Sequence, residues 1–279
     1  MTEILSAARR EFHAALQERL WSVRGGVASN SDNSNATSKA IGLALAEAVG
    51  VSADRERLRG SEAGSEFERR TMDFLQATFP RLSHLRPGIW RVGPGTAISE
   101  FEQYAHLEAL QQAAAANREL AAALGSDYTI KPDIIITREP EPDERINELE
   151  EFVVAGLARL TPLRRRNSEL EILHASVSCK WTIRSDRTQN SRAEALNLLR
   201  NRKGRAPHIA VVTAEPLPSR LASIAIGTGD IDCTYHVALH ELQEVVSGDR
   251  WGDAQEMLAI MVEGRRLRDI SDLPLDLAV

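Results

Sequence analysis

The chain has 279 residues, of which 43% are hydrophobic and 27% are charged, and it carries a formal net charge of −6 at pH 7. This composition is typical of a globular protein, and the length suffices for one large core or two modest domains. No apolar run approaches the roughly 18 residues of a membrane span, and the N-terminal segment lacks the apolar core of a signal peptide, so we expect a cytoplasmic protein without a membrane partner.

The N-terminal half of the sequence is predicted to be mainly helical. Apolar residues recur at helical spacing in four segments, 3–22, 37–50, 64–79 and 99–124. The second helix should be capped by Thr37 or Ser38 and should end at Gly50. Ahead of it, residues 24–38 (RGGVASNSDNSNATS) are rich in Gly, Ser, Asn and Asp, a composition typical of a loop.

Predicted strands cluster in the middle and the C-terminal half. Four segments are apolar and rich in β-branched residues: 128–137, 172–183, 208–214 and 233–239. A helix over 191–201 separates the second strand from the third, an order that predicts a crossover unit. The charged, proline-containing segment 138–168 is predicted to be a long surface excursion. We therefore predict an α/β fold with a central mixed β-sheet flanked by helices, in a single domain spanning residues 1–279.

A basic segment follows the second predicted strand. Residues 184–205 contain seven Arg or Lys residues and two acidic ones, a local net charge of +5 in a chain that is acidic overall. A concentrated positive patch can bind phosphates while the remaining surface stays acidic. The same residues could instead form a solvated helix face, and charge alone does not decide between the two interpretations.

Charged residues interrupt two of the predicted strands. Asp133 stands in YTIKPDIIIT and Lys180 in ILHASVSCKWTI. Because an unpaired buried charge is costly, these two side chains should pair, and the pair could serve the structure alone. Glu194, on the helix that follows, should fold back beside the end of the strand. Two carboxylates with a lysine at their edge would suit a hard divalent cation and metal-assisted phosphodiester hydrolysis.

These residues and their flanking motifs resemble a known enzyme group. Asp133 followed by a distant Lys180 is similar to the PD-(D/E)xK nuclease superfamily, with a restriction-endonuclease-like fold. Ser178 stands where an acidic residue usually precedes the lysine, and Glu194 would supply that carboxylate from the helix. This exchange, and RSDR directly after SCKWTI, resemble the NgoMIV-like type II restriction endonucleases, which read sites with a CCGG core. The resemblance covers most of the chain, and further similar segments are GSDYTIKPDIIITR, RNRKGRAPHI, VVTAEPLPSR, GTGDID and DISDLPLDLAV.

The resemblance implies roles for the residues of the site. The catalytic residues would be Asp133, Lys180, Glu194, Glu68 and Ser178. Asp133, Glu194 and the main-chain carbonyl of Cys179 would bind the Mg²⁺ cofactor. Cys179 and Cys233, the two cysteines of the chain, should be reduced in a cytosolic protein. No histidine stands near a nucleophile motif, so a thiol nucleophile is not expected at Cys179.

The segment that follows Lys180 contains three residues that match the base-reading residues of this family: Arg184, Asp186 and Arg187. In the major groove, arginine bridges O6 and N7 of guanine and a carboxylate accepts a hydrogen bond from cytosine N4, so these residue types suit a site made of G·C pairs. Without the resemblance, the same residues at a helix start would more often form a capping and ion-pair cluster.

The outer base pair of the site involves four further residues. Arg220 matches an arginine that contacts the outer guanine, and Asp32 and Ser34 match residues that approach the outer pair. Ser61 stands where the family has a glutamine, and the shorter serine could lose a minor-groove contact. Arg220 favours GCCGGC, but Ser61 leaves the outer pair open, and a loop of this composition is otherwise only a loop.

The resemblance implies a type II restriction endonuclease of a prokaryotic restriction–modification system, with double-stranded DNA as its substrate and 5′ overhangs in its products. A palindromic site requires a twofold symmetric reader, and the resemblance implies a homotetramer formed by two dimers. Two alternatives remain, a DNA-binding protein that does not cleave and a repair nuclease that recognises structure instead of sequence. The presence of Asp133, Lys180 and Glu194 argues against the first.

Overall fold

A computed structural model describes residues 3–51, 58, 60–124, 130–227 and 229–279, without the side chains of 123–124, 185–188 and 249. The helices are α1 (Ile4–Arg19), α2 (Ala36–Val49), α3 (Gly60–Thr78), α4 (His106–Ala116), α5 (Arg118–Leu124), α6 (Asp143–Ile146), α7 (Ser185–Asn201), α8 (Pro218–Ala225), α9 (Leu239–Val246), α10 (Gly252–Glu263) and α11 (Leu273–Asp276). The strands are β1 (Val23–Arg24), β2 (Val27–Ala28), β3 (Trp90–Pro94), β4 (Ile134–Arg138), β5 (Ile172–Lys180), β6 (His208–Thr213), β7 (Cys233–His236) and β8 (Leu267–Asp269). Single 3₁₀ turns occupy Phe79–Leu82, Ile98–Glu100, Glu102–Tyr104 and Asp249–Trp251.

Within the described residues, a six-stranded mixed sheet forms the centre of the molecule, in the order β3-β4-β5-β6-β7-β8. β4 is antiparallel to both of its neighbours, β3 and β5, whereas β5 to β8 run parallel to one another. Strands β4, β5 and β6 are buried along nearly their whole length, as expected when both faces of a sheet are covered. The predicted α/β fold is confirmed.

Helices lie on both faces of this sheet. Ser191 of α7 contacts Ser178 of β5, whereas Thr71 of α3 lies beside Cys179. Because successive strand side chains point to opposite faces, α7 and α3 cover opposite faces of β5. On the α7 side, α8 packs against α7 and α10, and elsewhere α1 packs against α3 and α2 against α9.

Three element boundaries differ from the predictions in ways that matter for the site. β4 begins at Ile134, so Asp133 lies directly before the strand and not within it. β5 ends at Lys180, three residues earlier than expected. α7 begins at Ser185, which places Glu194 in the third turn of the helix instead of the first.

The start of α2 also corrects a prediction. The N-cap is Asn35, whose side chain accepts a hydrogen bond from Ser38 N at 2.8 Å, so neither Thr37 nor Ser38 caps the helix. The predicted end at Gly50 is confirmed by its left-handed backbone, with φ of 82°.

The two long predicted segments gave different outcomes. The helix expected over 99–124 begins only at His106, after two 3₁₀ turns, and is interrupted at Asn117, between α4 and α5. The excursion over 138–168 contains the one-turn helix α6 and is held by the buried Arg164, which pairs with Asp143 at 2.6 Å. Among the helices that the structure describes, none combines the length and the apolar character of a transmembrane segment.

Candidate active site

The antiparallel pairing of β4 with β5 sets the position of Asp133. Ile134 pairs with Val177, so the residue before it, Asp133, lies across from Ser178 at the end of the ladder. The carboxylate oxygen Oδ2 of Asp133 accepts hydrogen bonds from Cys179 N at 2.7 Å and from Ser178 Oγ at 3.4 Å. The register of the sheet therefore holds this carboxylate against the last residues of β5.

Lys180 completes the pairing that its charge predicts. Its Nζ donates to Asp133 Oδ2 at 2.9 Å, and the two side chains are 20% and 21% exposed. Burial lowers the pKa of Lys180, but the charge and hydrogen bond of Asp133 outweigh burial, so the pKa is raised overall. The ammonium is therefore charged at neutral pH and remains accessible from one side.

Helix α7 brings Glu194 to the same point. Ser191, one turn earlier on the same face, has its Oγ 3.5 Å from Ser178 Oγ. Burial and then the negative charge of Asp133 raise the pKa of Glu194 to about 7, while Lys180 opposes this change. Glu194 Oε1 is buried and has no hydrogen-bond partner among the described residues. The three predicted charged residues thus form one cluster, with one carboxylate oxygen left unsatisfied.

Glu68 approaches from the other side of the sheet, on α3. Burial raises the pKa of Glu68, Asp133 adds to the increase, and Lys180 opposes it. Since α3 and α7 cover opposite faces of β5, Glu68 and Glu194 flank the end of the strand. Both predicted acidic residues therefore lie within the electrostatic field of the Asp133–Lys180 pair.

The donors at this point fit a hard cation. The described residues include no group of three or more His, Cys, Asp or Glu side chains that could hold a metal ion. Mg²⁺ usually takes only one or two carboxylates, together with carbonyl, water and phosphate oxygens. Asp133 and the unsatisfied oxygen of Glu194 meet this requirement. The N–H of Cys179 points toward Asp133. In a β-strand the N–H and the C=O of one residue point toward the same neighbouring strand. The carbonyl of Cys179 therefore also points to the side of Asp133.

The thiol of Cys179 does not take part in this cluster. It lies on the α3 face of the strand, is buried, and burial raises its pKa well above the usual range. A protonated, buried thiol is a poor nucleophile. Cys179 can therefore act through its main chain, as the resemblance implies.

A cavity of about 620 Å³ opens beside Lys180. Eight of the predicted residues line it: Asp32, Ser34, Ser61, Glu68, Cys179, Lys180, Arg184 and Arg220. The lining does not include Asp133, Ser178 or Glu194. Asp133 is connected to the cavity by its hydrogen bond with Lys180. The cavity thus joins the acidic cluster to most residues that the sequence assigns to DNA reading.

Two described residues at the start of α7 line this cavity. Arg184 is the N-cap position of the helix, is exposed and lines the cavity, as does Asn190 farther along. The backbone of the next residues is helical from Ser185 onward. The side chains of Asp186 and Arg187 lie outside the described part of the structure, so their predicted role stays a prediction.

The predicted outer-base residues lie together across the cavity. Asp32 Oδ1 accepts from Ser34 N at 2.9 Å and Ser34 Oγ at 2.7 Å, and Asp32 Oδ2 accepts from Arg220. The hydrogen bonds from Ser34, assisted by Arg220, lower the pKa of Asp32 to about 2. Ser61 is exposed in the first turn of α3 and lines the same cavity.

One charged residue near the cavity was missed in the sequence. Glu215, two residues after the end of β6, is completely buried and lies 3.9 Å from Arg220. The signal was present, because an acidic residue ends the apolar run HIAVVTAE. A buried carboxylate is rare unless it has partners, which makes this position informative.

Comparisons with known proteins show the family of the chain. The model of the family described as NgoMIV restriction enzyme matches residues 12–279 of the chain. Over 286 residues the chain is 51% identical to the type II restriction enzyme NgoMIV of Neisseria gonorrhoeae, and the alignment covers 100% of each protein. The similarity therefore extends over every element that forms the cavity.

Proposed function

Because the chain belongs to the NgoMIV restriction enzyme family and is a type II site-specific deoxyribonuclease, we propose that it cuts double-stranded DNA at a palindrome with a CCGG core. The observation that carries the proposal is the contact of Lys180 Nζ with Asp133 Oδ2 at 2.9 Å, beside the buried oxygen of Glu194. A lysine and acidic side chains at the end of a cleft are suited to phosphodiester hydrolysis, because the reaction builds negative charge on phosphate oxygens.

The chemistry of the site follows from its charges. Asp133, Glu194 and the Cys179 carbonyl would hold Mg²⁺, which would neutralise phosphate charge and lower the pKa of a bound water. Lys180 stays protonated beside Asp133 and faces the cavity, where it can donate to a phosphate oxygen. Glu68 acts on this cluster through its charge, from the α3 face of β5, and Ser178 donates a hydrogen bond to Asp133 from the α7 face.

Sequence recognition is assigned to the start of α7 and to the loop before α2. Arg184, Asp186 and Arg187 would read the inner C·G and G·C pairs in the major groove. Arg220, with Asp32 and Ser34, would read the outer pair, which favours GCCGGC. Cleavage within such a site would leave 5′ overhangs.

The assembly we propose is a homotetramer of single-domain chains, a dimer of dimers, acting in the cytoplasm of a prokaryote within a restriction–modification system. A palindrome calls for a twofold reader. A surface outside the cavity supports a second contact, because residues 149–160 expose five large apolar side chains: Leu149, Phe152, Val154, Leu157 and Leu160. Exposed apolar clusters commonly mark protein–protein contacts.

A digest tests the proposed activity. The wild type, the variant Lys180→Ala and the control Lys39→Ala are incubated with plasmid DNA and Mg²⁺; Lys39 is a half-buried lysine of α2 outside the cavity. We expect discrete fragments from the wild type and from Lys39→Ala, and none from folded Lys180→Ala. Sequencing the fragment ends then gives the outer base pair and the overhang.

Other outcomes of the digest separate the alternatives. A smear of fragments without a common end sequence would favour a nuclease that recognises structure. If the wild type binds the DNA in the presence of Mg²⁺ but does not cleave it, the result would favour a binding protein. Ca²⁺ should support DNA binding without cleavage, because it satisfies oxygen ligands but suits the reaction poorly.

A further inference from the structure

The buried carboxylate of Glu215 holds the main chain that leads into α7. Its Oε2 accepts from Ile183 N at 2.8 Å, and its Oε1 accepts from Leu217 N at 3.2 Å. Ile183 directly precedes Arg184, the N-cap position of α7. The Glu215 side chain therefore connects the segment after β6 with Ile183, the residue before the proposed base-reading segment.

A second contact holds the same residue from its carbonyl side. Arg220 donates to Ile183 O at 3.2 Å and also to Asp32 Oδ2. Both polar main-chain groups of Ile183 are thus bound by side chains, its N–H by Glu215 and its C=O by Arg220. The proposed outer-base arginine and the start of α7 are connected through this one residue.

The loop before α2 joins the same turn. Asn30, which is completely buried, donates from Nδ2 to Ala214 O at 2.7 Å, next to Glu215. The segment that follows β6 therefore contacts the loop that contains Asp32 and also Ile183, the residue before the N-cap of α7. His236, in β7, also binds this segment through a hydrogen bond between its ring and Glu215 O at 3.1 Å.

The use of a carboxylate at this position requires an explanation. Burying a charge is costly, and burial raises the pKa of Glu215 to about 7 although Ile183 N–H and Arg220 favour its charged form. A neutral side chain would be the simpler way to fill the space. Only a carboxylate, however, offers two acceptor oxygens to two main-chain N–H groups at once.

We propose that Glu215 is a positioning residue for base recognition, which fixes the start of α7 relative to Arg220 and thereby keeps the inner-base and outer-base readers at one spacing. The inference rests on the proposed function of the cavity. Loss of the bond to Ile183 N–H frees the segment that carries the inner readers, while Arg220 loses the fixed carbonyl that orients its guanidinium. Discrimination should then weaken at inner and outer base pairs together.

The variant Glu215→Gln tests this role. Glutamine keeps the size of the side chain but replaces one acceptor oxygen by an NH₂ group, which cannot accept from Ile183 or Leu217. We expect the ratio of kcat/KM for the cognate site over singly mismatched sites to fall by about tenfold or more, at inner and outer positions alike. KM for the cognate site should change more than kcat, because the lysine and the acidic cluster are untouched.

Asp269→Asn is the matched control. Asp269 is also a buried carboxylate, 1% exposed, and accepts from Leu239 N at 3.1 Å and Ser271 N at 3.0 Å. It binds Arg9, and its hydrogen bonds among the described residues involve neither α7 nor Arg220. This variant should lose stability, read as a lower Tm, with unchanged discrimination between sites.

The outcomes separate the inference from the proposed function. A wild type that cuts at no defined sequence overturns the proposed function itself. If the wild type and folded Glu215→Gln discriminate equally well between cognate and mismatched sites, the proposed role of Glu215 is overturned and the proposed function stands. If Glu215→Gln does not fold, Glu215→Asp replaces it. Reduced discrimination in that folded variant supports the role, whereas unchanged discrimination, or failure of both variants to fold, assigns Glu215 to the core and overturns it.

Discussion

Arg220 makes contacts that a lysine could not reproduce. Its guanidinium donates to Asp32 Oδ2 and to Ile183 O, while 26% of the side chain stays exposed toward the cavity. Arginine carries several donors in a planar fork, whereas the lysine ammonium is a compact point charge. Residue identity, and not only positive charge, should therefore decide how well this position reads a base.

We predict that Arg220→Ala lowers discrimination at the outer base pair by about 1–3 kcal/mol. The effect at the inner pairs should be smaller, because Glu215 still holds Ile183 N–H. Arg220→Lys should fall between the wild type and the alanine variant. Cleavage rates on DNA substituted at each position of the site measure the effect, and unchanged discrimination at the outer pair would contradict the assignment.

The two thiols lead to a prediction of chemical inertness. Cys179 and Cys233 are both buried, and burial raises the pKa of Cys233 to about 11 and that of Cys179 well above the usual range. Since the thiolate is the reactive form, neither should react with a disulfide reagent in the native protein. We expect no colour with DTNB before denaturation, two thiols afterwards, and unaffected DNA cleavage. Rapid modification of native Cys179 with loss of cleavage would argue against a role confined to its main chain.

At the scale of elements, the position of Asp133 depends on the close approach of two chain segments. Gly95, directly after β3, donates its N–H to Asp133 O at 3.1 Å. A Cβ atom at Gly95 would lie 1.6 Å from Pro132 O, a distance that no real structure tolerates. The segment before β4 can therefore take its place only because residue 95 has no side chain.

We predict that Gly95→Ala displaces the segment that carries Asp133. The free energy of unfolding should fall by about 1–3 kcal/mol, and cleavage by the folded variant should fall further than its stability explains. Gly93→Ala is the control on the same strand, because a Cβ there meets nothing within 4 Å. Denaturant titration and cleavage rates at a temperature where both variants are folded measure the two effects. Full activity of folded Gly95→Ala would show that the site tolerates the displacement.

Helix α7 shows how far the sequence could predict the elements. Its later turns bury Ala195 and Leu198, which produce the apolar spacing that predicted a helix over 191–201. Residues 185–190 (SDRTQN) are all polar and show no such spacing, so the sequence did not predict the start of the helix. Strands β5 and β6 were well predicted, because burial on both faces leaves a continuous apolar run.

The candidate site was predictable where its residues carry an unusual charge. Asp133 and Lys180 stand out beside apolar runs, and their pairing is confirmed. Asn35 was missed as the cap of α2, because Asn35, Thr37 and Ser38 are all suitable capping residues and only tertiary contacts decide among them. The acidic residue at the end of HIAVVTAE marked Glu215 as unusual, but its role could not be predicted, because its partners are main-chain N–H groups that leave no pattern in the sequence.

At the scale of the whole molecule, one apolar surface is left uncovered by the described residues. Residues 149–160, in the excursion between β4 and β5, expose Leu149 by 97% and Leu160 by 95%. The excursion is nevertheless fixed, because buried Arg164 binds Asp143 at 2.6 Å and the carbonyl of Leu157 as well. An ordered segment with exposed apolar side chains is suited to bind a second copy of the chain.

We predict that this segment joins two dimers into the proposed tetramer. The double variant Leu149→Glu, Leu160→Glu should sediment as a dimer where the wild type sediments as a tetramer, because burying two carboxylates at an apolar contact is costly. Ile260→Glu is the control, since Ile260 is an exposed apolar residue of α10, 57% exposed, outside the segment. Sedimentation equilibrium measures the mass. A double variant that remains tetrameric would place the contact between dimers elsewhere, and a wild type that is no larger than a dimer would refute the proposed assembly.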